Sequence, residues 1–409
     1  MEYGYGAILR LGLVFLLIVL LIRLKKPLWM ALVGGIAVSA LLYRIPLPTA
    51  VGVLARETVS WENISVLLSF YLVTFLQKLL ERRQRLAHAQ QAFGVLFRSR
   101  RVNASASCLI IGLLPSAAVM TVCAEMVDHS CGDALDNREK LFVSCYYRHI
   151  PELFLPTFSA VLLALTLSGQ NAGRFVLCML PMVVIACLLP VLFYLRKVPR
   201  GTAREATPDV LRSSLWTLLQ NLWSLLSIVL LIICGGLTVC QATPLVILVE
   251  ILLDRFRPKE LAAVIRDAAE PVLLVNIYLV MLFKAIITHT GVVGQLPGFF
   301  RQFPLPVAVS FALIFFFGSV VSGSQAIVAL CLPMAIAAIP DGGIALLVLL
   351  MCIAWAAMQI SPTHVCAFVA CQYYGTTLGD LFVKAMPVLL PFCLLAFGYS
   401  ALLGLPLTV

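Results

Sequence analysis

Four short stretches of this sequence combine helix-breaking residues with side chains that can bind an anion or carry a proton. Tyr147-Arg148-His149-Ile150-Pro151-Glu152 sets a cation, an imidazole and a carboxylate around one proline. Gln359-Ile360-Ser361-Pro362-Thr363-His364 sets two hydroxyls and an imidazole around another. The remaining two, Leu114-Pro115-Ser116-Ala117 and Ser322-Gly323-Ser324-Gln325, interrupt apolar runs with small and hydroxylated residues. Proline removes a backbone donor and breaks a helix, while small residues let a ligand approach the main chain. Hydroxyls donate or accept hydrogen bonds, and the N-termini of half-helices offer N–H groups to an anion. The substrate-binding candidates are therefore Ser116, Ala117, Ser322, Gly323, Ser324, Gln325, Ser361, Thr363, Arg148 and His149. Glu152, His149 and His364 are the candidates for proton coupling, because a buried carboxyl or an imidazole can change charge near neutral pH.

Each candidate also has a plain structural reading. The prolines can be simple kinks satisfied by neighbouring helices, and Arg148 with His149 can anchor headgroups at the cytosolic boundary. Glu152 can serve as a structural partner of Arg148, and His364 as a helix-packing hydrogen bonder. Lys284 lies inside an apolar span and needs a partner or an aqueous path, unless it snorkels to the surface. Glu250 and Asp254 are expected to be solvated at a cytosolic end. The basic segment Glu81 to Arg101 carries Leu86, Phe93, Val95 and Leu96 among its charges and fits an interfacial helix on anionic lipid.

The elements that must hold these stretches are membrane helices. Of 409 residues, 62% are hydrophobic and 12% charged, against about a quarter charged in soluble domains. Spans are expected at 7–22, 27–43, 63–79, 149–168, 174–195, 215–233, 236–254, 271–289, 344–375 and 384–405. Gly6 to Ile22 also has the length of a signal-peptide core. However, Arg23, Lys25 and Lys26 follow it, and no small-residue cleavage site precedes the next apolar run. Regions 102–130 and 305–340 are apolar but broken midway, so each arm is too short to cross alone. They read as re-entrant hairpins that enter and leave on one side.

The net charge of +10 belongs to loops, which argues against a nucleic-acid partner and for orientation by the positive-inside rule. With both termini outside and both hairpins re-entrant, Arg10, Arg44, Arg56, Arg174 and Arg301 remain outside and Lys284 lies in a span. Every other Lys and Arg falls inside. The expected fold class is thus an all-α polytopic protein of the inner, cytoplasmic membrane, built from two inverted repeats. The first repeat covers 1–196, with scaffold helices in 1–80 and hairpin and transport helices in 102–195. A cytosolic linker follows at 197–214. The second repeat covers 215–409, with its scaffold in 215–290 and its hairpin and transport helices in 303–409. Prolines recur at a near-constant offset, Pro362 after Pro151 (362 − 151 = 211) and Pro387 after Pro181 (387 − 181 = 206).

Leu113-Leu-Pro-Ser116, Tyr147-Arg-His-Ile-Pro-Glu152, Ile360-Ser-Pro-Thr-His364 and Tyr373-Tyr-Gly375 resemble the ion transporter superfamily, in particular its branch called domain of unknown function 401. That resemblance implies an elevator mechanism, in which the first three spans of each half form a dimerising scaffold while hairpins and interrupted spans carry substrate. It also implies an organic anion moved with protons or sodium. The sodium-coupled dicarboxylate branch carries Ser-Asn-Thr at its hairpin tips, and neither tip here contains Asn, which favours protons.

The expected function is transport of a small organic anion, a carboxylate, by proton coupling. The alternatives are a sodium-coupled anion symporter and a cation/proton antiporter, the latter needing Glu152 or Asp380 as its membrane carboxylate. Thirteen cysteines scattered singly, with no CxxC pair, give no metal-ligand spacing and no cofactor site. HExxH, GxSxG and paired membrane aspartates are missing, so an enzyme is not expected. The expected partners are the anion, the bilayer and a second copy of the chain.

Overall fold

A computed structural model describes residues 5–24, 26–85, 88–89, 92, 99–113, 119–199, 208–300, 302, 305–362 and 364–406. The chain runs α1 (Tyr5–Arg23), α2 (Leu28–Leu42), α3 (Leu47–Thr58), α4 (Trp61–Arg82), α5 (Arg100–Ile111) and α6 (Val119–Cys131). It continues through α7 (Asn137–Arg148), α8 (Ser159–Ser168), α9 (Ala172–Phe193), α10 (Pro208–Ile233), α11 (Val239–Leu253), α12 (Pro258–Ala268) and α13 (Pro271–His289). After a short α14 (Leu296–Phe300) come α15 (Val307–Ser322), α16 (Ser324–Ala338), α17 (Gly343–Met358), α18 (Val365–Tyr374) and α19 (Leu378–Leu402). Among the described residues, six helices, α4, α9, α10, α13, α17 and α19, are long and apolar enough to cross a membrane. No strand element occurs among the described residues. This is an all-helical polytopic membrane protein.

The order of elements repeats along the chain. In each half a broken helix and a closing span start at a fixed offset: α7 and α17 (343 − 137 = 206), α8 and α18 (365 − 159 = 206), α9 and α19 (378 − 172 = 206). The caps repeat too. Gly169 ends α8 and Gly375 ends α18, and side chains of Asn171 and Thr377 cap the helices that follow.

Packing exchanges partners between the halves. Helix α4 packs on α11 as α13 packs on α2. In the same way α8 lies on the hairpin arm α16, and α18 lies on the hairpin arm α6. At the centre, every residue of α17 from Ile344 to Ala357 is buried, and so is α7 from Glu139 to Arg148.

Five readings need correction. The connections between the second and third spans of each half hold the short helices α3 and α12 rather than loops, with Ala50 the buried residue of the first and Val264 and Ala268 those of the second. The first interrupted helix starts at Asn137, not 149, because Asp136 and Glu139 form a capping box and the charges of its first turn are paired. Lys197 reaches Glu139 at 2.6 Å, Lys140 reaches Asp128 at 2.6 Å and Arg138 reaches Asp380 at 2.9 Å. Arg148 and His149 therefore sit at the interruption, 2% and 1% exposed, rather than at a headgroup boundary.

Glu250 is fully buried against Arg85 at 2.8 Å instead of solvated, and Asp254 also pairs with Arg85. Within the basic segment, Arg83 and Arg85 bind carboxylates of α11 and α12 rather than standing free for lipid. Residues 86–87, 90–91 and 93–98 of that segment lie outside the described residues. Lys284 finds its partner in Glu62, at 2.6 Å.

Candidate functional site

The first interruption follows from its residues. Helix α7 ends at Arg148, His149 caps it, and Ile150–Leu153 form a 3-10 turn around Pro151 before α8 resumes at Ser159. At the second, α17 ends at Met358 and α18 starts at Val365, with Pro362 between them. The two breaks meet. The Trp355 indole N–H donates to the His149 carbonyl at 2.7 Å, and the His149 and His364 rings lie 4.3 Å apart between centroids.

Both hairpins close on this crossing. Ser361 donates its hydroxyl to the Val320 carbonyl at 2.7 Å, tying the second break to α15. On the other side Gly112, at the end of α5, abuts the first break so closely that an added Cβ would lie 2.0 Å from the Arg148 carbonyl oxygen. Only glycine fits there. The tip of the second hairpin is a single residue, Gly323, at φ 84° and ψ 153°, a conformation open essentially to glycine alone.

A cavity of about 400 Å³ opens where the second hairpin tip faces α8 and α17. Ser322, Gly323, Ser324 and Gln325 line one side, and Glu152, Phe158, Ser159 and Ala160 a second. Helix α17 contributes Met351, Ala354, Trp355 and Met358, the i, i+3, i+4, i+7 stripe of one helix face. Two helix N-termini meet here, α8 at Ser159 and α16 at Ser324. Neither N-cap residue, Phe158 or Gly323, offers a side-chain cap. Ser159 and Gln325 side chains approach each other at 3.4 Å, so the two uncapped ends are neighbours. The first-turn N–H groups of a helix have no intrahelical acceptor and carry the positive end of the helix dipole.

Beside the cavity stands an ion pair, Arg148 Nη1 to Glu152 Oε1 at 3.2 Å. Glu152, 18% exposed, is the member that reaches the cavity, while Arg148 stays behind it. His149 shares Nδ1 with the Cys145 carbonyl at 2.5 Å, its Nε2 has no hydrogen-bond partner, and that atom lies 4.0 Å from Glu152 Oε1. Removing charge from water without a partner is costly, so the buried Arg148 stands next to a carboxylate, and an ionisable pair inside a membrane protein is a site candidate. The donor atoms of His149, His364 and Cys366 lie within 4.8 Å of one another. These donors suit a transition metal by type, but the Arg148 guanidinium across Glu152 opposes a cation at this point.

Of the sequence candidates, Ser322, Gly323, Ser324, Gln325 and Glu152 line the cavity. Arg148, His149, His364 and Ser361 form the packed crossing behind it. Ser116, Ala117 and Thr363 lie outside the described residues. Ser322 and Ser361 spend their hydroxyls on backbone carbonyls, of Gly318 and Val320. Sequence reasoning missed Ser159, Phe158 and the α17 stripe. The signal available for Ser159 was its place just past the first break, where a half-helix must begin.

The family described as "Protein of unknown function (DUF401)" matches residues 7–402, nearly the whole chain. Comparison with the curated proteins finds none that matches. On this match over residues 7–402, the chain belongs to the DUF401 family.

Proposed function

We propose that this chain is a secondary active transporter of the ion transporter superfamily that moves a small organic anion, a carboxylate, across the cytoplasmic membrane. The observation that carries this reading is the meeting of two uncapped helix N-termini at one cavity beside a buried ion pair. N-terminal N–H groups aimed at a cavity are an anion site, and in membranes they recur at the broken helices of transporters.

The two halves are read as inverted repeats, a reading supported by the fixed 206-residue offset and by the exchanged packing of α4 on α11 and α13 on α2. In an elevator mechanism the hairpins, broken helices and closing spans move against a scaffold of the first three spans of each half, and the scaffold pairs with that of a second copy. Gln77 of α4 touches the mobile part at one point in this scheme, the Thr157 carbonyl at 3.3 Å.

Protons are the coupling ion in this proposal, with Glu152 as carrier. Of the three coupling candidates it alone lines the cavity. An anion beside an ionised carboxylate is repelled, so binding of substrate and of a proton on Glu152 favour each other. His149 and His364 then set the position of the crossing.

The test is uptake of a panel of radiolabelled carboxylates into proteoliposomes under an imposed pH gradient, for the native chain and Glu152→Gln. Gradient-driven uptake is expected to fall at least about ten-fold in the variant, while binding measured without a gradient persists. Undiminished gradient-driven uptake by Glu152→Gln would refute proton coupling through this residue. A strict sodium requirement would replace protons with sodium, and failure of every carboxylate would remove the anion reading.

A further inference from the structure

Resting on the anion-transport reading, we infer that the cavity takes a monocarboxylate with an apolar or aromatic body rather than a dicarboxylate or a sugar acid. The lining is polarised. Its donors are concentrated at one place, where the first turns of α8 and α16 adjoin at Ser159 and Gln325. One carboxylate satisfies that place, because the first turns of both helices border it.

The rest of the lining offers a second carboxylate nothing. Phe158, Met351, Ala354, Trp355 and Met358 form an apolar wall, and no Lys or Arg is among the described lining residues. The Trp355 indole N–H is already committed to the His149 carbonyl, so the side chain presents carbon to the cavity. Hydroxyls of Ser322 and Ser324 are engaged with the Gly318 carbonyl at 2.8 Å and the Met358 sulfur at 3.4 Å. Glu152, the one ionisable group among the described lining residues, takes a single proton with the first carboxylate and offers no positive charge to a second. A sugar acid would bury several hydroxyls against the same wall, and each unpaired hydroxyl is penalised.

Size agrees. The volume of about 400 Å³ is at the small end of ligand pockets, roughly 300–1,000 Å³. Thioether and aromatic side chains also suit a branched or ring-shaped body, since methionine adapts its shape and packs well on rings.

Equilibrium dialysis of the purified full-length chain tests the inference with four probes of similar length: 4-methylpentanoate, phenylacetate, glutarate and gluconate, with 4-methylpentanamide as the uncharged control. The two monocarboxylates are expected to bind about ten- to hundred-fold tighter than glutarate and gluconate, and the amide not at all. Met358→Gln, which makes the wall polar at constant length, is expected to narrow the preference to about three-fold or less, with Met351→Gln as the second variant should the first not fold. Glutarate or gluconate binding as tightly as the monocarboxylates overturns the inference and leaves anion transport standing, as does an unchanged preference in the folded variants. Binding of the amide equal to that of its acid, or of no carboxylate at all, overturns both.

Discussion

The indole of Trp355, in the second broken helix, donates its N–H to the carbonyl of His149, in the first, across 2.7 Å. His149 lies at the end of α7, where its carbonyl accepts the Glu152 backbone N–H at 3.1 Å within the 3-10 turn, and the indole fills its second lone pair across the two breaks. This bond also fixes Trp355 as a wall of the cavity. Trp355→Phe keeps the ring and removes the bond between the two breaks, while the carbonyl keeps the Glu152 N–H, so the expected cost is that of one net hydrogen bond, about 0.5–1.5 kcal/mol. Thermal unfolding of the purified protein in detergent measures the loss, and an unchanged melting temperature would mean that the Glu152 N–H alone satisfies the carbonyl and the indole bond adds nothing.

Close backbone approach makes a second prediction. Gly112→Ala would drive a methyl group to 2.0 Å from the Arg148 carbonyl oxygen, a distance that only displacement of the first hairpin relieves. Gly52→Ala is its control, because a Cβ at Gly52 on α3 meets nothing within 4 Å. The first variant is expected to lose stability by several kcal/mol, and the second to be neutral or gain up to about 1 kcal/mol from helix propensity. Size-exclusion profiles and melting temperatures of the two purified variants distinguish these outcomes, and equal behaviour would contradict the packing of α5 on the break.

The Arg85 clamp gives a third. Glu250 is fully buried and faces Arg85 at 2.8 Å, a cation that it shares with Asp254. Arg85→Met leaves that carboxylate in the interior without its cation, expected to destabilise by about 3–5 kcal/mol. Adding Glu250→Leu removes the stranded charge, so the double variant is expected to recover most of the loss. A double variant no more stable than the single one would show that Asp254, not Glu250, is the partner that matters.

The broken helices were legible in the sequence because their interruptions consist of prolines and charges within apolar runs, a pattern that local chemistry dictates. Helix α7 as an arm of the first one was not, since hydropathy registers the charges of Arg138, Glu139 and Lys140 but not the partners that neutralise them. Glu250 was misread for the same reason. The short helices α3 and α12 hide as polar connections, being too short for an apolar period to stand out. Met351, Trp355 and Met358 could not be singled out at all. An apolar residue in an apolar helix carries no local mark of the cavity it faces, and only the docking of the hairpin tip on α17 defines that face.

The last prediction concerns which ends of the helices share a side of the membrane. Arg85 joins Asp254, and Arg83 joins Glu260 at 3.3 Å, so the end of α4 and the start of α12 lie together. Arg101 donates to the carbonyls of Arg196 and Val198, while Lys197 and Lys384 both reach Glu139, which gathers the hairpin base, the start of α7 and the flanks of α9 and α19. These are the segments whose basic residues the positive-inside rule assigns to the cytosol. Near the opposite ends of the helices, Lys284 meets Glu62 and Thr58 meets Tyr278. Cys234, exposed just past α10, belongs to that second group in the proposed topology. On a background with the other native cysteines replaced, an impermeant maleimide added to intact cells is expected to label Cys234. A variant in which Cys234 is also replaced and the exposed Arg255 is changed to Cys is expected to react only after the membrane is opened. The reverse pattern would invert the whole scheme, and labelling of both from outside would mean that α11 does not cross.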